Sequence, residues 1–168
     1  MRKLNFLKAI VDFVWIMSFI TFPALIFSFG YIIFSSDEPL GIPIRLIGVE
    51  VAVVDQQTKI LLVFITIAAL LIVYSLFLFR KILKSFQRNK IFDLEVIKNF
   101  NTIGILMLLS SLFSGIPAFL IQVLKKEASF EMGLNPFVML FCLGLFFMVL
   151  SEVFAIAKKQ KEENELTI

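Results

Sequence analysis

The sequence predicts an all-α integral membrane protein with four transmembrane helices, and three observations support this. First, four apolar stretches are long enough to cross a bilayer, whose hydrocarbon core of about 30 Å needs roughly 20 helical residues. Second, 60% of the 168 residues are hydrophobic and the mean hydropathy is +0.96, whereas soluble domains are about 45–50% apolar. Third, lysine and arginine cluster between these stretches. The predicted spans are 11–34, 60–79, 102–124 and 137–157, within one domain of 168 residues.

The first predicted span follows a basic N-terminus and contains Pro23 near its middle. Its apolar run is longer than the core of a signal peptide, and three more spans follow it, so we expect an uncleaved membrane anchor. Pro23 lacks a backbone N–H and is expected to kink the helix. The last span is expected to start at Asn135 and Pro136, because asparagine caps helices and proline suits the first helical position.

The connection 35–59 between the first two spans is long and opens with turn-forming residues. Residues 44–54 are β-branched and partly alternating, which is typical of a strand. The sequence therefore predicts a short β segment on the outer side of the membrane. The alternative is an irregular loop that lies on the bilayer surface.

Basic residues divide unevenly between the two ends of the predicted bundle. Twelve of the 16 lie in the N-terminus, the segment 80–101 or the tail 158–168, and four lie at the other end. Because loops rich in Lys and Arg stay in the cytoplasm, we predict that both termini are cytoplasmic. The protein is then a multi-pass membrane protein with both termini and the segment 80–101 on the cytoplasmic side.

The segment 80–101 begins as a basic amphipathic stretch, which suits an interfacial helix lying against anionic lipid heads. The simpler interpretation is that its charges only fix the topology. So short a segment beside the membrane is not expected to contact nucleic acid directly. Four of its basic residues are candidate contacts for lipid or for a cytosolic partner: Lys81, Lys84, Arg88 and Lys90.

The third predicted span is the most polar of the four. Small residues four positions apart let helix backbones approach closely and allow hydroxyl groups to bond across helices. We therefore predict a helix-packing face here, the alternative being a path for a solute. The residues of this strip are Ser110, Ser111, Ser114 and Gly115.

Two carboxylates fall within the predicted spans. Asp12 lies at the entrance of the first, and Glu152 lies about five residues inside the end of the fourth, on the order of 7 Å deep. Intramembrane acids are costly to bury and are candidates for function. The two acids lie toward the same side, so they could share a site or pair with Arg80 or Lys158; the alternative is that each carboxylate reaches water at this shallow depth. Ion pairs between the mixed-charge tail and the segment 80–101 are also feasible.

Several classes of function are disfavoured. The chain has no histidine and one cysteine, Cys142, so neither a metal site nor a cofactor is expected. No glycine-rich phosphate-binding loop is present. Serines occur within the spans, but no histidine or mid-span lysine is available to activate one. We therefore expect a protein that is not an enzyme.

Two stretches resemble the bacterial four-span membrane family catalogued as domain of unknown function 2975. The first reads FRKILKSFQRNKIFDLEVIKNFNTIGI, in which a basic run (Arg80–Lys84), a turn into a phenylalanine (Asn89–Phe92) and Ile103-Gly104 match the family pattern. The second is the ending, where acidic residues precede Leu166-Thr167-Ile168. One departure is Lys90, where the family often has glycine.

The resemblance implies a protein of a bacterial inner membrane, with no catalytic residue and no enzymatic activity. Members are often encoded beside a small helix-turn-helix regulator, which implies a link between the membrane and transcription. We therefore expect a regulatory protein whose loop 80–101 and tail 158–168 bind such a cytosolic regulator. The alternative is a small transporter or an envelope immunity-type protein that uses the serine strip.

Overall fold

The computed structural model describes residues 2–34, 39–46, 49–53, 55–124 and 135–165. Four helices make up most of this chain: α1 (Arg2–Phe34), α2 (Gln56–Gln87), α3 (Leu94–Leu124) and α4 (Pro136–Glu165). Each is long and apolar enough to cross a membrane. The prediction of four membrane-spanning helices is confirmed at this level, and it indicates a multi-pass membrane protein.

Two short strands lie between α1 and α2. β1 (Pro39–Leu46) pairs antiparallel with β2 (Val49–Val53), so that Arg45 lies opposite Glu50. The register shifts between Pro39 and Ile44. The rest of the connection for which a β segment was predicted, residues 35–38, 47, 48 and 54, lies outside the described residues.

Local sequence explains where the helices begin and end. Asp55 caps α2, and its carboxylate accepts hydrogen bonds from the Thr58 N–H (2.8 Å) and hydroxyl (2.6 Å). α2 ends in a Schellman motif: the N–H of Lys90 donates to the carbonyl of Ser85, and Asn89 takes a φ of 58°. The Asn135 side chain accepts from the Phe137 N–H at 3.1 Å. This confirms the predicted start of α4.

The helices pack in chain order, with α3 at the centre. α3 packs against both α2 and α4, whereas α1 packs mainly against α2. The main apolar cluster lies at the end of the bundle that carries the turn between α2 and α3, and it is built from Leu78, Ile82, Val96, Phe100 and Ile103. Arg2, this turn and the C-terminal end of α4 share that end, which we call the basic end.

Depth along the bundle can be measured against α2, because its uncharged stretch 60–79 is about 30 Å long, the thickness of a bilayer core. Ser110 of α3 donates to the carbonyl of Ala68, near the middle of that stretch. The neighbouring Ser111 donates to the carbonyl of Phe137. α4 therefore begins near the mid-depth of α2 and reaches further past the basic end than the predicted span 137–157 implied.

Candidate functional site

The basic end of α2 carries three of the four predicted contact residues on one strip. Residues 80–87 are a continuous part of α2, so the segment is not a separate interfacial helix. Lys81, Lys84 and Arg88 follow one another at intervals of three and four, and all are exposed. The Lys81 ammonium lies 3.2 Å from the Glu95 carboxylate, whereas Lys84 and Arg88 form no ion pair with a described residue.

Depth separates these residues from Lys90. At 1.5 Å per residue, Lys84 lies about 6 Å and Arg88 about 12 Å past Arg80. The polar headgroup layer of one leaflet is roughly 5–7 Å thick. Lys81 and Lys84 therefore lie at headgroup depth. Arg88 lies about 5 Å beyond that layer, and its long side chain can reach back to it. Lys90, in the turn beyond, lies in water.

Lys90 lines a groove of about 350 Å³ that two distant parts of the chain form together. One wall is the turn Asn89–Asp93, and the other is the last part of α4. We call this the turn–tail groove. Its α4 residues are Lys158, Lys161, Glu162 and Glu165.

The charges of the tail balance within the tail itself. Lys158 pairs with Glu162 at 3.5 Å, Lys159 with Glu163 at 3.8 Å and Lys161 with Glu165 at 3.7 Å, each four residues apart. Within the described part of the chain, no ion pair joins the tail to the segment 80–101, although the sequence made such pairing feasible. Three lysines and three acids line the groove, and Lys90 and Asp93 form no ion pair with a described residue.

Stacked phenylalanines hold the tail beside the turn. Phe154 of α4 stacks on Phe100 of α3 with ring centroids 5.2 Å apart, and on Phe86 of α2 at 5.9 Å. Phe92 of the turn reaches the same ring at 6.1 Å. Because these rings tie four segments together, the walls of the groove are held by the core of the basic end.

The predicted serine strip lies inside the bundle. Ser110 bonds to α2 at 3.0 Å and Ser111 to α4 at 3.2 Å, through the carbonyls of Ala68 and Phe137. Ser114 donates to carbonyls of its own helix. A Cβ atom at Gly115 would collide with the ring of Phe137. The strip therefore faces neighbouring helices and not open space.

A seam of small residues brings α3 and α4 together at three points. Gly104 faces Gly144, where an added Cβ atom on either glycine would come within 2.9 Å of the other's carbonyl oxygen. Ser151 donates to the carbonyl of Ile97 at 2.8 Å. Phe137, Gly144 and Ser151 are seven residues apart, as are Ile97, Gly104 and Ser111. Sequence reasoning missed Ser151, although this spacing is visible in the sequence.

A second polar cluster fastens α1 to α2 at the basic end. Asp12 pairs with Arg80, which was one of its predicted partners. The Lys8 ammonium donates to the Gln87 side chain at 2.9 Å, and that side chain in turn donates to Asn5. Trp15 packs on Phe77, with their ring centroids 5.5 Å apart. Asp12 thus contributes to helix packing.

Glu152 lies elsewhere and at a different depth from the one predicted. The rings of Phe147 and Phe79 are 5.9 Å apart, which sets the level of α4 against α2. Glu152 then lies about 6 Å past the level of Arg80, on the water side. It is exposed, and it forms no hydrogen bond or ion pair with Asp12, Arg80, Lys158 or any other described residue. Nor do three potential metal ligands cluster in the described ranges.

Comparison with known proteins identifies a family. The chain has no match among curated proteins or solved structures. A family model matches residues 50–168, which include α2, α3, α4 and the turn–tail groove but not α1. Both sequence motifs noted above fall within this range. Because the match covers well over half of the chain, the protein belongs to the family described as "Protein of unknown function (DUF2975)".

Proposed function

We propose that this protein is a non-enzymatic, regulatory membrane protein whose turn–tail groove binds a cytosolic partner, such as a helix-turn-helix regulator. The observation that carries the proposal is the groove itself, since the turn and the tail are remote in sequence yet line one cavity. The groove lies beyond headgroup depth, where a soluble protein can reach it. Its lysines and acids offer contacts to a partner with complementary charges.

The proposed orientation puts the groove in the cytoplasm of a bacterial cell. Twelve of the 16 basic residues lie at the basic end or in the adjoining helix ends, and the positive-inside rule assigns that end to the cytoplasm. The antiparallel strands β1 and β2 then lie on the outer side of the inner membrane. A soluble regulator has access only to the basic end.

The chemistry of the helices favours binding over catalysis. The chain has no histidine, and the two serines that face neighbouring helices, Ser110 and Ser111, donate to main-chain carbonyls. A serine nucleophile needs a base to activate it. The described serine strip supports helix packing, which is what a binding protein needs from its membrane part.

The test is affinity capture from native membranes in mild detergent, with an N-terminal tag and mass spectrometry. The groove variant replaces Lys90, Lys158 and Lys161 by glutamine. The control is Lys159→Gln, which removes a charge from the same helix without lining the groove. We expect a cytosolic DNA-binding protein to be recovered with the native chain and the control and lost with the groove variant.

Purified components complete this test. Binding of the captured regulator to the native protein in nanodiscs is measured directly, and the groove variant should bind at least tenfold more weakly. Equal recovery with all three chains, or recovery of this protein alone, would reject the groove as a partner site.

Transport is the second candidate, and one cavity favours it. A cavity of about 310 Å³ lies between α3 and the start of α4, and its lining includes the polar side chains Gln122 and Asn135. α4 starts near mid-depth of the bundle, so this cavity lies beside membrane-spanning helices. Solute flux in proteoliposomes that falls with Gln122→Leu but not with Lys159→Gln would support this function over the first.

A further inference from the structure

The face of the basic end that α1 and α2 share carries a surplus of positive charge. Five cations lie there with two carboxylates, Asp12 and Glu95, which pair with Arg80 and Lys81. Lys8 bonds to an uncharged amide, and Lys84 and Arg88 have no carboxylate partner among the described residues. Three positive charges are therefore left for an anion: Lys8, Lys84 and Arg88.

Lys8 and Lys84 lie at the depth of lipid headgroups, and the long side chain of Arg88 can reach that depth from just beyond it. Lys84 is about 6 Å and Arg88 about 12 Å past Arg80 along α2, and Lys8 reaches Gln87 between them. The turn–tail groove lies further out and has balanced charges. The cationic face and the groove thus differ in both depth and charge.

An apolar strip of α2 runs from these charges into the membrane. Continuing backward from Arg88, Lys84 and Lys81 at intervals of three and four, the strip includes Tyr74, Leu70 and Val63, which are 51%, 48% and 45% exposed. Such a strip can accept an acyl chain along its length. A headgroup phosphate and an acyl chain would then meet one continuous surface.

We propose that this face binds an anionic phospholipid of the adjacent leaflet. Its phosphate is held by Lys84 and Arg88 with Lys8, and its acyl chain lies along Val63, Leu70 and Tyr74. Because Lys8 belongs to α1 and the other two cations to α2, the bound lipid ties these helices together.

We expect a bound lipid to stabilise the packing of α1 more than that of the other helices. It packs mainly on α2, and among its described residues Val11 alone is buried. A phosphate that bridges Lys8 to Lys84 would add attraction where only an amide now links the helices at that level. This inference concerns the membrane and does not depend on the cytosolic partner proposed above.

The experiment compares the full chain in nanodiscs of phosphatidylglycerol and of phosphatidylcholine. Native mass spectrometry measures the lipid retained, and hydrogen–deuterium exchange measures protection of residues 2–15. The test variant combines Lys84→Gln with Arg88→Gln. The control combines Lys159→Gln with Lys161→Gln, which removes the same charge from the tail. A third arm adds inorganic phosphate to phosphatidylcholine nanodiscs.

We expect the native chain and the control to retain phosphatidylglycerol and to show slower exchange of residues 2–15 in it. The test variant should lose roughly 30-fold in lipid affinity, since each basic residue near the surface contributes about fivefold. Lys84→Arg should keep the lipid, because it retains the positive charge at that position. Inorganic phosphate should not protect residues 2–15.

Three results would overturn the proposal. Retention of phosphatidylglycerol by the test variant would show that these residues do not hold the headgroup. Equal loss in test and control variants would show attraction by net charge alone. Protection by inorganic phosphate would assign the site to a free anion and would also reject a lipid.

Discussion

Gly104 and Gly144 set how closely α3 and α4 approach each other. Each glycine meets the carbonyl oxygen of the other, so neither position has room for a side chain. Gly30 of α1, by contrast, would meet nothing within 4 Å if it carried a Cβ atom. Gly104 and Gly144 thus have no room for a side chain, whereas Gly30 does. Composition and hydropathy do not reveal this difference.

Replacing these glycines by alanine is therefore expected to have opposite results. Gly144→Ala should lower the free energy of unfolding by about 1–3 kcal/mol, because the added methyl group forces α3 and α4 apart. Gly30→Ala should leave stability unchanged or raise it by up to about 1 kcal/mol, since alanine favours helix. Thermal unfolding in one detergent measures both, and equal effects would contradict the close contact.

The hydroxyl groups of two serines also differ in their role, since one bonds to another helix and the other bonds within its own helix. Ser110 donates to α2 from a buried position, while the half-buried Ser18 donates to a carbonyl of its own helix. Ser110→Ala is expected to cost about 0.6 kcal/mol, the typical value for a hydrogen bond between membrane helices. Ser18→Ala should change stability by less. The same unfolding assay tests the pair, and a larger loss at Ser18 would reject the interhelical role of Ser110.

α1 packs through a narrow strip that its sequence does not reveal. Buried and half-buried residues recur at alternating intervals of four and three, a spacing typical of left-handed helix pairs. The strip includes a lysine and a serine, while many apolar residues outside it are exposed. These strip residues are Leu4, Lys8, Val11, Trp15, Ser18, Phe22, Leu25, Phe29 and Ile32.

The ion pair of Asp12 with Arg80 is expected to help hold this helix in place. Asp12→Asn should loosen α1 and shift the fluorescence of Trp15, the single tryptophan, because its contact with Phe77 weakens. The matched control is Glu152→Gln, a carboxylate without a partner among the described residues. It should change neither fluorescence nor stability.

A double-mutant cycle tests the pair itself. Both side chains are partly exposed, at 30% for Asp12 and 42% for Arg80, so solvent weakens their attraction. We expect a coupling energy of about 0.2–1 kcal/mol between Asp12→Asn and Arg80→Gln. A coupling energy near zero would mean that packing alone holds α1.

Orientation is a property of the whole molecule, and it decides which face a cytosolic protein can reach. In a Cys142→Ser background, a cysteine at Asn89 should react with a label supplied from the cytoplasm. A cysteine at Asp37, which lies outside the described residues, should react only from the opposite side. The reverse pattern would place the turn–tail groove outside the cell and reject the proposed partner.

Some structural features could be predicted from the sequence and others could not. The start of α4 at Asn135 and Pro136 was predicted, because a cap is a local signal. The continuation of α2 through residues 80–87 and the depth of Glu152 were not predicted, because both depend on how far α2 and α4 extend relative to each other. The turn–tail groove itself was not predicted. The sequence indicated only that the segment 80–101 and the tail 158–168 are charged and bind a partner.

The sequence by itself determined the number of spans, their approximate limits and the uneven distribution of charge. These follow from each segment alone, since the length of an apolar run and the position of a lysine need no neighbour. Only the tertiary structure decided the α1 strip, the offset of α4 and the joining of turn and tail. Each of these depends on contacts between residues far apart in the chain, such as Gly104 with Gly144 or Phe154 with Phe92, and these apolar helices have no polar face that would specify their partners in advance.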